Sequence, residues 1–476
     1  MKTFDLFPHS TLTRRQIVYA SLAAMVVAVR AQPASGPEPG SVNLGEAQGA
    51  DALGGRDSSD ALAQALGTGK PVYVPAGTFV IGQVRLPDKA TIYGPGTLRH
   101  RKGAPFMLLC DSESPDPRRN LQGLTLKGIT LRGTSDEDGF SEGVHLLIAN
   151  GVTGLTLDGV RFVGFRGDGL YLGSGVRPGE ERHNRSVTIR NCTFDGINRS
   201  NRNGISVIDC DGLTIEGSRF TNCTSAKMPG PIDLEPNDHP WHVIRSVVIR
   251  GNTFTGNGGS GGQITSYQTP GVLQAPSDIE ISNNSFSGYV GTGADITVHV
   301  KPRAGSELQP MRWRITNNRG KNGNQPFAIY SGRDISITGN TWEGYRMSAR
   351  VSEPGKGFHA STVVVQNNRF TRCGGAVEEA SCVSVYESDH VQIDSNEFAD
   401  CGNGSERSAA VFLGWGRSSF LQVTRNRVSA PTRQTRLTIY KDESHRYDDA
   451  NTRFAGQMVR DGVTTGNIAE TRLPGH

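Results

Sequence analysis

The strongest constraint on this 476-residue chain is a phrase that it repeats: alternating aliphatic residues, a Gly or Asn pair, then an aromatic. Residues 187–194 (VTIRNCTF), 279–286 (IEISNNSF), 363–370 (VVVQNNRF) and 391–398 (VQIDSNEF) are near copies. The second apolar residue of each copy is Leu126, Leu157, Ile189, Ile215, Ile249, Ile281, Ile315, Ile337, Val365, Ile393 and Val423, at steps of 22 to 34 residues. A constant phrase at variable spacing is what a coil produces, because each turn must return in register while its loops bulge outward. Propeller blades would need about four strands in each repeat of roughly 40 residues. Five residues past these anchors stand Leu131, Phe162, Phe194, Phe220, Phe254, Phe286, Gly320, Trp342, Phe370, Phe398 and Val428, an expected internal stack. Three residues past them, Asn252, Asn284, Asn318, Asn340, Asn368, Asn396 and Asn426 form an unbroken run. Stacked amides hydrogen-bond from rung to rung and Asn tolerates left-handed backbone angles, so this run is expected to be structural.

The 60 glycines and a hydrophobic content of only 35% suit short strands and tight turns, hence an all-β array. Residues 32–50 are a Pro/Gly/Ser/Glu-rich leader without periodicity, and Ser59 is placed to cap a short helix from Asp60 to Leu66. Such a helix can cover the open end of a stack, which otherwise exposes its apolar interior and an unpaired strand edge. The helix, residues 72–79 (VYVPAGTF) and residues 86–97 (LPDKATIYGPGT) resemble the opening of pectate-lyase-superfamily chains, tailspike-like and epimerase-like members included. The resemblance implies a single right-handed parallel β-helix over residues 51–440, followed by a tail at 441–476. It does not choose a reaction, since that superfamily holds lyases, hydrolases, epimerases and adhesins. Neither the polygalacturonase set of Asn-x-Asp, Asp-Asp, His-Gly and Arg-x-Lys nor the Trp-Ile-Asp-His of pectate lyases is found.

Thr13, Arg14, Arg15 and Gln16 precede an apolar run from Ile17 to Val29, and Val29, Arg30 and Ala31 offer a cleavage site. Residues 1–31 thus read as a twin-arginine-like export signal, and the expected location is the periplasm or the exterior. The run falls short of a bilayer span, so no stable membrane anchor is expected after cleavage. Seven cysteines follow, none in a C-x-x-C pair or with zinc-type spacing; buried small residues are the default, with Cys373 and Cys401 expected to stack on adjacent coils. Fifty basic against 46 acidic residues give no reason to expect nucleic acid as a partner.

Each coil carries another strand before the anchor phrase, and in resembling folds these strands floor the substrate groove. With Leu, Ile and Val turned inward, the outward set is Tyr171, Ser206, Asp233, Glu235, Gln263, Thr265, Asp295, Thr297, His299, Lys301, Tyr330, Ser384, Tyr386 and Phe412. Hydroxyls, amides and aromatic faces suit a glycan. Asp233 and Glu235 lie two apart on one strand, roughly 7 Å between Cα atoms, so one carboxyl is expected to keep its proton while the other ionises. Three readings follow. A hydrolase would use Asp233 and Glu235 as acid and base or nucleophile, needing no cofactor, with His299 and Lys301 as further catalytic or auxiliary candidates and Tyr171, Arg202, Asn203, Gln263, Thr265, Asp295 and Tyr330 as binding groups. A lyase would hold Ca²⁺ on Asp233, Glu235 and Asp238, with Lys301 as base and Arg303 or Arg202 neutralising a uronate. A glycan-binding adhesin would need the groove alone. In all three the partner is a polysaccharide, and the protein is a monomer or a trimer. Asp168 is read as a turn residue, His145, His183, His239 and His242 as loop residues, and no Ser-His-Asp triad is apparent.

Overall fold

The computed structural model describes residues 36–472 except 113, 175–180, 304, 354–358, 377–379, 430–434, 436, 448–451 and 461–462; the expected export signal lies outside the described residues. The chain is a right-handed parallel β-solenoid. Each coil contributes a floor strand such as Ile232–Leu234, an anchor-phrase strand such as Ile244–Arg250, and a short strand such as Thr253–Thr255. The short strands stack as a 14-stranded ladder, and the floor and anchor strands join in a second sheet. The expected register holds: Leu157 pairs with Ile189, Ile189 with Ile215, Ile215 with Ile249, and Ile249 with Ile281. Variable spacing is therefore taken up in loops while every anchor returns to the same column.

The interior is built from two side-chain columns. Phe162, Phe194, Phe220, Phe254 and Phe286 stack with centroids 4.6 to 5.0 Å apart, close to the rung spacing of a parallel sheet. The stack breaks at Gly320 and resumes with Trp342, Phe370 and Phe398. Each amide of the Asn run donates to the carbonyl of an anchor one coil back and, except for the last, Asn426, to the next Asn Oδ1; Asn318 Nδ2, for example, lies 2.8 Å from the Ile281 carbonyl and 2.9 Å from Asn340 Oδ1. Left-handed backbone falls one residue earlier than expected, at Asn283, Asn317 and Asn367 with φ of 55° each, so the ladder Asn sits just past the sharp turn rather than in it.

At the N-terminal end the helix Ser59–Gly67 buries Ala61, Leu62, Ala65 and Leu66. Its cap is Ser58, not Ser59, and Ser58 spends its hydroxyl on the Asp51 amide at 3.0 Å instead of on the helix. Within the stretch expected to be a flexible leader, Val42–Asn43 pairs with Val72–Tyr73. At the other end, Arg453–Arg460 and Val463–Arg472 form an antiparallel pair. The disulfide joins Cys382 to Cys401, whereas Cys373 is buried and free. Among the described residues no helix is long and apolar enough to cross a membrane.

Candidate functional site

The floor strands place one column of side chains in direct register: Tyr171, Ser206, Asp233, Thr265, Thr297, Ala328, Arg350, Ser384, Phe412 and Tyr440. Its acidic end is a dense polar cluster. Asp168 is fully buried; its carboxylate lies 3.0 Å from Arg202 Nη1 and 3.2 Å from His145 Nδ1, and it accepts the Asn203 amide at 3.0 Å. Burial pulls the Asp168 carboxyl upward, but His145 and Arg202 outweigh it and hold the group below the usual range. Arg202 Nη1 and Asn203 Nδ2 both donate to Ser206 Oγ at 2.9 Å, and Asn203 Nδ2 reaches Asp233 Oδ2 at 3.2 Å. Tyr171 stacks on His145, with centroids 4.8 Å apart.

Asp233 sits among these groups with no exposed surface, and its Oδ1 has no hydrogen-bond donor among the described residues. Burial first, then the charge of Glu235, push its carboxyl well above the usual range, and Arg202 offsets this only in part. Glu235 is half-buried and forms the solvent side of the pair. This end can hold one proton on Asp233 beside a second carboxyl that faces the groove. As a Ca²⁺ site it fits poorly: Ca²⁺ takes six to eight oxygen ligands, the Asp168 carboxylate is engaged by Arg202 and His145, and among the described residues no group of three or more His, Cys, Asp or Glu side chains is placed to hold a metal ion. Asp238, the third proposed ligand, accepts from Thr269 Oγ1 at 2.6 Å and from the Gly271 amide at 2.7 Å instead.

One to three rungs along, the floor turns basic and aromatic. Lys301 Nζ donates to Tyr267 OH and lies 4.8 Å from its ring centroid, and His299 meets the same ring edge-on at 5.3 Å. Tyr330 lies 5.6 Å from His299; a register shift after Val298 pairs His299 with Ser331 and leaves Tyr330 beside it. Tyr267, His299, Lys301 and Tyr330 are each half-buried.

Two expected binding residues lie elsewhere. Gln263 and Asp295 are buried at the turn into the floor strand, where Asn257 Nδ2 donates to Gln263 Oε1 at 3.1 Å and Gln263 Nε2 donates to Asp295 Oδ1 at 2.9 Å. Tyr345 OH donates to the other Asp295 oxygen, and burial raises that carboxyl to about 7. Gly320 is the reason that they fit: a Cβ there would collide with the Tyr345 hydroxyl and the Asp295 carboxylate, so the missing aromatic of the stack makes room for a polar knot. Strict alternation misassigns them because the second residue of each strand, Gln263 in Gly262–Gln268 and Asp295 in Ala294–Val300, still belongs to the corner. Thr265 and Thr297 do lie in the floor column, both nearly buried. Asp168 and His145, read as turn and loop residues, belong to the acidic cluster. Aligning coils on the floor strand shows the first of these, since Asp168 then stands opposite Asn203, next to Arg202.

The model of the right-handed beta helix region matches residues 142–300 and 270–434, together more than half of the chain. The chain belongs to the right-handed beta helix family. Uncharacterized protein YclG of Bacillus subtilis (strain 168) is 24% identical over 312 residues, or 61% of this chain and 48% of that protein; the chain thus spans about half the length of the curated relative that it matches. Among solved members of this architecture, a double-mutant tailspike protein of E. coli bacteriophage HK620 superposes with a TM-score of 0.56 at 15% identity, covering 84% of this chain and 80% of that one. The N-terminal fragment of bacteriophage Phi29 gene product 12 gives 0.55 at 14% identity, with 84% and 71% covered. At these identities the likeness is one of fold.

Proposed function

We propose that this β-helix cleaves glycosidic bonds of a polysaccharide laid along the floor column, with Asp233 and Glu235 as the carboxyl pair. The observation that carries this reading is the fully buried Asp233, its carboxyl pushed above the usual range, two residues from the half-buried Glu235. Hydrolysis needs one carboxyl to protonate the departing oxygen and a second to assist attack at the anomeric carbon. Asp233 supplies the proton through Oδ1; Glu235, on the solvent side, acts as base or nucleophile. Since Asp233 has no exposed surface at rest, the mechanism requires Glu235 or Arg202 to shift when sugar binds. Tyr171, Tyr267 and Tyr330 give the polymer apolar faces to lie on. The same reading sets the protein to work in the periplasm or outside the cell, as monomer or trimer.

The contact of Lys301 with Tyr267 OH favours a second reading, β-elimination on a uronic-acid polymer. There Tyr267, as a phenolate stabilised by the ammonium of Lys301, takes the C5 proton while the C4–O bond breaks, and the phenol so formed returns the proton to the departing oxygen. The two are separated by incubating the protein with acidic and neutral polysaccharides and following reducing ends together with ultraviolet absorbance. New ends without absorbance support the carboxyl pair; new ends with absorbance from an unsaturated product move the chemistry to Tyr267 and Lys301. Binding without either leaves a glycan-binding solenoid.

A further inference from the structure

Beside the acidic end, outside both clusters, the fold joins two residues 68 positions apart: Ser174 Oγ lies 2.5 Å from His242 Nε2. Ser174 follows the floor strand Leu170–Gly173, and His242 comes from the insertion after Ile232–Leu234, which folds back over the intervening coil. The other ring nitrogen, His242 Nδ1, lies 3.1 Å from the Asn237 carbonyl. A carbonyl only accepts, so Nδ1 carries the ring proton and Nε2 presents a lone pair to the serine hydroxyl. Burial lowers His242 to about 4, against a smaller opposing effect of the Asn237 carbonyl, which keeps the imidazole neutral at ordinary pH. A second observation lies on the adjoining residue: the Trp241 indole Nε1–H is buried without an acceptor among the described residues, and its ring meets His242 edge-on at 5.6 Å. Ser174 itself is half-buried.

We propose that Ser174, His242 and the Asn237 carbonyl form a nucleophilic site that hydrolyses O-acyl esters, acetyl esters of sugars being the class that fits its place at the groove edge. Only the sugar rests on the reading given above; the ester chemistry rests on the three residues. Ser174 Oγ attacks the ester carbonyl while Nε2 takes its proton; collapse breaks the acyl–oxygen bond, and Nε2–H protonates the departing sugar hydroxyl. Water, deprotonated by the same nitrogen, then releases the carboxylic acid and restores Ser174.

The test treats the purified full chain with a fluorophosphonate probe and with p-nitrophenyl acetate, neither of which contains sugar, and maps the adduct by mass spectrometry. The expected result is one adduct on Ser174 and release of p-nitrophenol that falls about 100-fold in Ser174→Ala, with an unchanged melting temperature, and likewise in His242→Gln. An adduct absent from Ser174, or release unaffected by Ser174→Ala, overturns the proposal. Labelling of Ser174 in a protein that cleaves no polysaccharide upholds the ester site and removes the glycosidic reading instead.

Discussion

Two columns of side chains stack along this solenoid, the Asn run and the floor, and their buried polar members are finished differently. Along the Asn run every amide is used: Asn318 Nδ2 donates twice, and its Oδ1 accepts from the Asn284 amide and from Asn284 Nδ2 at 2.9 and 3.0 Å. Along the floor, Asp233 Oδ1 and Thr265 Oγ1 are buried and have no partner among the described residues. A buried polar atom left unpaired costs about 1–3 kcal/mol; six of the seven ladder amides donate twice, whereas on the reading proposed above the unpaired floor atoms are those that meet a bound sugar. The difference separates polar residues that build the coil from those that serve the groove.

The largest expected effect is on turnover. If the floor carries the chemistry, Glu235→Gln and Asp233→Asn should each lower polysaccharide cleavage by about 10²- to 10⁴-fold, the usual range for a lost general acid or base. Full turnover in both variants, measured as reducing ends, would remove the carboxyl pair from the mechanism.

Breaking the structural column should instead cost stability. Asn318→Ala leaves the Ile281 carbonyl, the Asn284 amide and Asn284 Nδ2 short of a partner, an expected loss of about 3 kcal/mol or more, read as a lower denaturant midpoint. Cleavage by the folded variant should stay at the wild-type rate, since the change lies on the opposite edge of the anchor strands.

A pair of carboxyls sharpens the same contrast through pH. Asp394 has no exposed side-chain surface and is held by Thr424, Ser395 and Arg425, which outweigh the upward effect of burial and lower it from 3.8 to about 2. Its contribution is present above the unfolded value and fades as pH falls through the folded one. Asp394→Asn should therefore cost about 2 kcal/mol at neutral pH, shrinking below 3.8 and vanishing near 2. Asp233 is shifted the other way, so its contribution is present below the unfolded value and is lost as pH rises. Asp233→Asn should thus gain in relative stability toward alkaline pH. Parallel midpoint-against-pH curves for the two variants would contradict the assignment of one carboxyl to structure and the other to the groove.

The coil, its anchor register, the aromatic stack and the Asn run were legible because each repeats one residue type at one phase, and eleven copies average out the loops. The placing of Asp233 and Glu235 two apart was legible from strand alternation, and the approach of Arg202 and Asn203 from their place just before the preceding floor strand, Ile205–Val207. What alternation could not supply was the corner. Gln263 and Asp295 turn inward because Gly320 vacates an aromatic position, an arrangement that depends on Tyr345 two coils beyond Gln263. Nor could it supply contacts through long loops: the Cys382–Cys401 bond, the engagement of Asp168 by His145, and the meeting of Ser174 with His242 each join segments whose separation no repeat fixes.

Thr265 gives the finest test of the comparison. It pairs directly with Asp233 on the floor, yet its hydroxyl is buried without a partner, whereas Thr424, also nearly buried, donates to Asp394 at 2.7 Å. Valine matches threonine in shape and removes the hydroxyl. In a structural position the exchange discards a hydrogen bond to a charged group, worth about 1.5–3 kcal/mol; on the floor it discards nothing that the folded chain uses. Thr265→Val should therefore leave the denaturant midpoint unchanged to within about 0.5 kcal/mol while weakening polysaccharide binding by roughly 1 kcal/mol, one neutral hydrogen bond. Thr424→Val should do the reverse. A Thr265→Val protein that loses stability and keeps its affinity would mean that the hydroxyl serves the coil, and the distinction between the two columns would fail at the residue where it is most finely drawn.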